Sequence, residues 1–294
     1  MSNKKVIYTT ITGNYDIIPQ PTVIARDFDY ILFTNDLPEQ QLGVWQVRAV
    51  PIKALDNVKL SRWVKTHPHI LLNDYDVSLY HDCNVIVDQY EYYDRINELI
   101  DEEAKIAFMN HIQRNCIYDE GFEVLYLNLA KVGTILSEMA HIKHDGYPIN
   151  NGLVEANCIL RRHHNSQVIQ FCEKWWYMID HYAQRDQLSC NYVAWKVGLD
   201  ISYILPPDYS TRNSPMIHCN KHQRKTTIED VIWYGSLKDR FAKQVRDYYN
   251  KFINSKNYSF KEYYSYIMMI IIRKFFALVV LKYKLGTWLK TRNR

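Results

Sequence analysis

No glycine-rich phosphate loop, GxGxxG, GxSxG or HExxH pattern occurs in this chain. Kinase, dinucleotide-dehydrogenase and serine-hydrolase readings lose the residues that would carry their chemistry. The six cysteines, Cys83, Cys116, Cys158, Cys172, Cys190 and Cys219, include no CxxC pair, which argues against a cysteine zinc site and for reduced thiols in a cytoplasmic protein. The opening Met1-Ser2-Asn3-Lys4-Lys5 lacks the apolar run of a signal peptide. The apolar stretch from Tyr263 to Leu281 is interrupted by Arg273-Lys274, so it falls short of the ~20 uncharged residues that span a bilayer. There is no internal repeat and no low-complexity linker.

What is present is a folded composition, 47% hydrophobic and 23% charged over 294 residues, enough for one large domain or a domain with an appendage. The formal net charge of +4 is unevenly placed. From Arg273 onward there are seven basic residues (Arg273, Lys274, Lys282, Lys284, Lys290, Arg292, Arg294) and no acidic one; setting them aside leaves 29 basic against 32 acidic residues, or −3. The body therefore has no nucleic-acid signature. The tail, apolar from about 263 with flanking lysines and Trp288, reads as a helix lying on an anionic membrane surface. Packing on the core or on a second copy is the plainer alternative. The expected division is a domain over 1–225 and a helical extension over 226–294.

Along the chain, residues 5–12, 30–34 and 45–50 read as strands. Residues 57–72 read as a helix broken at Pro68, and 77–87 as a buried strand interrupted by Asp82 and Asn84. An acidic helix (90–103), a strand (105–109), a long helix (119–141), a strand (156–160), a long helical region (166–195) with a polar break at Gln184-Arg185-Asp186-Gln187, and a last strand (201–205) follow. Alternating strands and helices predict an α/β fold with a mostly parallel sheet, whose ligands bind at the carboxyl ends of the strands.

Several clusters bear chemistry. Asp82 and Asn84, two apart at a strand end, suit Mg²⁺ or Mn²⁺; a strand-end Asp is also an ordinary turn former. Arg185-Asp186-Gln187, within the long helical pattern, suits a general base or a binder of sugar hydroxyls, or equally a surface salt bridge. Arg62 and Lys65 share a helix face and suit phosphate binding, or solvation. His218 is a borderline Mn²⁺ ligand, with Lys221 three residues on to meet a diphosphate; a lone histidine is more often a surface or core residue.

The series Tyr8-Thr9-Thr10-Ile11-Thr12-Gly13-Asn14-Tyr15-Asp16, Phe33-Thr34-Asn35-Asp36, Lys65-Thr66-His67-Pro68-His69, Tyr80-His81-Asp82-Cys83-Asn84, Cys116-Ile117-Tyr118-Asp119-Glu120 and Arg185-Asp186-Gln187-Leu188-Ser189 resembles a glycosyltransferase-like family formerly classed as a domain of unknown function. That family has bacterial members and plant members linked to cell-wall polysaccharides. The match runs in order from about residue 5 to 205. The resemblance implies a GT-A (Rossmann-like) domain using a nucleotide-sugar donor and a glycan or lipid-linked acceptor. It implies a divalent cation, Mn²⁺ or Mg²⁺, held by Asp82, by Asn84 where the family pattern has a second Asp, and by His218. Asp74-Tyr75-Asp76 offers a literal Asp-x-Asp but precedes the strand. The resemblance further implies a donor site drawn from Thr10, Gly13, Tyr15, Asp36, Arg62, Lys65 and Lys221, and a catalytic set of Arg185, Asp186 and Gln187. The expected setting is cytoplasmic, peripheral on the inner face of a membrane. A binding or scaffold protein without turnover is the alternative that Asn84 keeps open, and a metal-dependent phosphodiesterase lacks a close two-metal set of carboxylates.

Overall fold

The computed structural model describes residues 4–220 and 246–254, apart from 17, 19, 128 and 252. The elements in order are β1 (Lys5–Thr10), β2 (Asp29–Phe33), β3 (Gln41–Leu42), β4 (Trp45–Arg48), α1 (Asn57–Thr66), α2 (Pro68–Leu71), β5 (Val77–His81), β6 (Val85–Val87), α3 (Glu91–Asp101), β7 (Ile106–Asn110), α4 (Ile117–Tyr126), α5 (Val132–His144), β8 (Val154–Arg161), α6 (Ser166–His181), α7 (Asp186–Val197), β9 (Ser202–Tyr203) and β10 (Ile217–Cys219).

Two compact units result, Met1–Ile117 with Ile149–Arg224 and Tyr118–Pro148 with Lys225–Arg294. The first is built on an eight-stranded sheet of order β3-β4-β2-β1-β5-β8-β7-β9. β1 pairs in parallel with β2 and β5, β2 with β4, and β7 with β9. β8 runs antiparallel to both its neighbours, and β3 to β4. The expectation of a mixed, mostly parallel sheet flanked by helices holds. From β1 the order departs toward β2 on one side and β5 on the other, so the carboxyl ends of these strands open on a topological switch point. One face of the sheet buries Ile7, Leu32, Val77, Leu79 and Leu160 together with Tyr92, Ile96, Leu99 and Ile100 of α3.

Two details depart from the sequence reading, at 77–87 and 119–141, and two follow it, at Pro68 and within 166–195. The 77–87 stretch is two strands: Asp82 accepts from Val85 N at 2.9 Å across a turn, and β6 pairs antiparallel with β10 in a separate small sheet. Pro68 ends α1, whose first turn is capped by Asp56 (Lys59 N to Oδ1, 2.9 Å), and itself begins α2; a ring without an N–H fits a first helical turn. The 166–195 region is two helices that part at the expected polar break, and Asp186 opens the second, α7. The 119–141 helix is likewise α4 and α5.

In the second unit, Tyr118 donates to Tyr147 O at 2.7 Å, and Tyr249 donates to Tyr118 O at 2.7 Å. A Cβ on Gly121 would fall 2.6 Å from Met139 Sδ and 2.7 Å from the Tyr249 hydroxyl, so only glycine allows that approach. The chain from about 263, expected to bind a membrane, lies outside the described residues.

Four described histidines are buried in the first unit, His67, His81, His111 and His163, and three of them have strongly shifted imidazoles. His67 donates through Nδ1 to Trp63 O (2.8 Å), His163 meets Leu72 O (3.1 Å) and His81 meets the Tyr92 hydroxyl (2.8 Å). Burial pushes the His67 and His163 imidazoles down to about 4 and that of His81 to about 3. The unfolded chain takes up protons near pH 6.5 that the folded chain refuses until about pH 4 or below. Stability is therefore expected to fall as pH drops through that window, each histidine adding a slope of up to ~1.4 kcal/mol per pH unit. Urea midpoints measured from pH 7 to 4 check this; a flat profile would contradict it.

Candidate active site

Three elements meet at one ammonium group. Lys65, in the last turn of α1, has a side chain 1% exposed, and its Nζ contacts Asp186 Oδ2 and lies 3.3 Å from Asp82 Oδ1. Asp82 follows the end of β5, and Asp186 is the first residue of α7. Arg62, one turn earlier on the same face of α1, reaches Asp186 Oδ2 at 3.5 Å. The Tyr80 hydroxyl donates to Asp82 Oδ1 at 2.9 Å, and Nζ lies 5.0 Å from the centre of the Tyr80 ring.

A buried layer fixes these groups. Arg161, fully buried on β8, donates to Lys65 O at 2.7 Å and to the Tyr8 hydroxyl at 2.5 Å, and Tyr8 in turn donates to Lys65 O at 3.2 Å. The backbone of α7 is held by Trp175, whose indole donates to Asp186 O at 2.8 Å, while Trp175 packs edge-on against Phe108. Burial alone would raise the Asp186 carboxyl, but Arg62, Lys65 and Arg185 outweigh it and hold that carboxyl well below the usual range. Positive charge and N–H donors remain in excess: Arg62 Nε and Arg185 Nε are buried without a hydrogen-bond partner. An anion rich in oxygens would satisfy them.

The loops after β1 and β2 join at the same sheet edge. Asn14 N donates to Asp36 Oδ2 at 2.9 Å, and Thr12 donates to Asn57 O at 2.7 Å. Gly13 has φ +72°, and a Cβ there would lie 2.2 Å from Asn57 Nδ2, so glycine is required twice over. Thr10 is turned inward, donating to Phe33 O at 3.0 Å. Tyr15 is half exposed and close enough to Arg62 to act on its charge. The structure thus brings Arg62, Lys65, Asp82 and Asp186 into contact, with Arg185 and Gln187 beside Asp186.

The expected cation ligands are distributed otherwise. Asn84 donates through Nδ2 to Asn220 O at 2.8 Å. His218 stands opposite Ile86 in the β6–β10 pair and binds Asp88, Nδ1 to Oδ2 at 2.6 Å. One oxygen of Asp82 is already engaged by Lys65 and Tyr80. Among the described residues no three His, Cys, Asp or Glu side chains are arranged to hold a metal ion. Asp82, Asn84 and His218 as placed do not fit a divalent cation. Lys221 lies outside the described residues.

Sequence reasoning missed Arg161, Tyr80 and Tyr8 as supports. The available signal was an arginine closing the apolar strand 156–160, where a charge without a partner is costly to bury.

The family model described as the TOD1/MUCI70 glycosyltransferase-like domain matches residues 1–213. No curated protein matches the sequence. Among solved structures, the chain is similar to the bifunctional glycosyltransferase WbbM in its apo form (TM-score 0.44, 11% identity, 90% of this chain and 52% of that one). It therefore spans about half the length of WbbM. It is also similar to the galactosyltransferase LgtC, solved in complex with donor and acceptor sugar analogues (TM-score 0.39, 9% identity, 88% of this chain and 99% of that one).

Removing the ammonium leaves the buried Asp186 carboxylate without its nearest cation and the one-third-exposed Asp82 without the same partner. Lys65→Met is expected to destabilise the fold by roughly 3–5 kcal/mol, as breaking one side of a buried ion pair does. Adding Asp186→Asn should recover part of that loss. Urea denaturation of the single and double variants measures both, and additive losses would show that the two groups do not interact.

Proposed function

The chain belongs to the TOD1/MUCI70 glycosyltransferase-like family, and on that premise we propose that it is a GT-A type glycosyltransferase moving a sugar from a nucleotide donor to a polysaccharide or glycolipid precursor. One observation carries the reading: Arg62, Lys65 and Arg185 surround Asp186 at the carboxyl edge of the sheet with more N–H donors than the carboxylates use. A nucleoside diphosphate has the charge and the oxygens to meet them. Arg62 and Lys65 would stabilise the diphosphate as it departs, and Gly13, Tyr15 and Asp36, with Thr10 beneath, would receive the nucleoside.

Asp186 was open to two roles, general base or holder of the donor sugar. A carboxylate with three cations around it is too weakly basic to take a proton from an acceptor hydroxyl efficiently. We assign it, with Gln187, to orienting the cations and the sugar hydroxyls. A second reading, sugar-nucleotide binding without turnover, is favoured by Asn84 standing where a second carboxylate is expected.

Thermal shift across UDP- and GDP-sugars tests the proposal. At least one donor should stabilise the protein, by about 2.7 kcal/mol at a hundredfold excess over Kd. Asp186→Asn should keep that binding and lose transfer, whereas Arg62→Gln should weaken binding. Absence of stabilisation by every donor would sink the reading, and binding without transfer to any acceptor would favour the second. Each assay is run with EDTA and with Mn²⁺. A Mn²⁺ response present in the wild type and absent from Asp82→Ala would restore a cation to this site.

Among the described residues no helix is long and apolar enough to cross a membrane. We propose that the basic apolar segment from about 263 holds the enzyme against the cytoplasmic face of an anionic membrane. The full chain should sediment with anionic vesicles and a 1–262 chain should not; equal sedimentation would place that segment elsewhere.

A further inference from the structure

A second charged arrangement stands at the same sheet edge, outside the residues used so far. Glu155, at the start of β8, is 2% exposed and accepts from Arg212 Nε at 2.5 Å. Its other oxygen accepts from the Thr211 hydroxyl at 3.1 Å, and that hydroxyl accepts from Asn157 Nδ2 at 2.8 Å. Asn157 in turn accepts through its carbonyl from Asp82 N at 2.8 Å. One residue before Glu155, Val154 N donates to Asn191 Oδ1 of α7 at 3.0 Å. The pair is thus tied on one side to the strand end bearing Asp82, and on the other to the helix that begins with Asp186.

The loop presenting Arg212 is internally braced. Ser210 N donates to Asn213 Oδ1 (2.9 Å), Arg212 N to Ser210 Oγ (3.2 Å) and Asn213 Nδ2 to Asp208 O (2.8 Å). Ser210 and Thr211 are buried, whereas the Arg212 side chain is 49% exposed. With Nε spent on Glu155, its two terminal nitrogens have no partner among the described residues. A guanidinium fixed from behind by a buried acid presents a planar pair of donors outward, the geometry that grips a carboxylate or phosphate bidentately. Tyr209, exposed in the same loop, offers a ring face of the kind that a sugar can stack on.

We propose that Arg212, oriented by Glu155, is an acceptor-side recognition point for an anionic group: the carboxylate of an acidic sugar or the phosphate of a sugar phosphate. The word acceptor rests on the glycosyl-transfer reading; the anion site does not. Calorimetry with methyl glucuronide, glucose 6-phosphate and neutral methyl glucoside tests it. One of the two anions should bind at least about tenfold more tightly than the neutral sugar, in keeping with charge-assisted hydrogen bonds, and which one does so identifies the source. Arg212→Gln should erase the preference, Arg212→Lys should keep only part of it because the fork is lost, and Arg62→Gln should leave it intact. The proposal is overturned if neither anion is preferred, if the preference survives Arg212→Gln, or if Arg62→Gln removes it equally. A protein that prefers the anion yet binds no sugar nucleotide would sink the donor reading and leave this one standing.

Discussion

An ammonium group withdrawn from water has to be neutralised where it stands, because desolvation costs several kcal/mol and is regained only through close, well-oriented partners. Lys65 is fully buried, and its two partners come from distant parts of the chain, Asp82 from the end of β5 and Asp186 from the start of α7. One charge therefore fixes three elements against one another. Arg161 and Tyr8 complete the constraint by holding the carbonyl of the same residue. With the last turn of α1 pinned, Arg62 one turn back has to face the same carboxylate. The basic character of the site follows from the packing of the sheet as much as from its ligand.

The same constraint decides what Asp186 can do. A carboxyl group held well below its usual range by Arg62, Lys65 and Arg185 is ionised at neutral pH. It is a good anchor and a weak proton acceptor. On the proposed reading, the cations would be shared with the phosphate oxygens of a donor, since among the described residues Arg62 Nε and Arg185 Nε have no hydrogen-bond partner. Binding would then satisfy unmet donors instead of breaking contacts that hold the fold.

Much of this was legible in the residues. The apolar runs of β1, β2, β5 and β8 announce themselves because strands buried on both faces must be apolar throughout, and the turn clusters behind them mark the carboxyl edge. Arg62 and Lys65 show their common face by spacing alone. The break at Asp82 was harder to see, because Val85, Ile86 and Val87 stay apolar while changing partner from the main sheet to β10. Pattern reports burial, not which strand is paired. The polar break at 184–187 was legible, but not that the second helix resumes at Asp186 itself, because the helical period continues on both sides of it. Arg161 shows only that an apolar strand ends on a charge, and Glu155 and Arg212 carry no local signal, since what makes each useful is a partner tens of residues away.

Asn84 shows how a departure from an expected pattern can have a structural cause. Its carbonyl accepts from Asn220 N at 2.8 Å, and its side-chain amide donates back to Asn220 O at 2.8 Å. A carboxylate at 84 has no hydrogen to donate there and would set a negative oxygen against a carbonyl. The amide therefore joins the turn after β5 to the residue that follows β10, the last described residue before Lys221. A second acidic group would also add negative charge beside Asp82, which already pairs with Lys65 and accepts from Tyr80. In this chain, the position that gives a metal its second carboxylate in the family pattern holds the end of a strand pair. The positive charge of the site is supplied from the other direction, by Arg62 and Lys65 of α1.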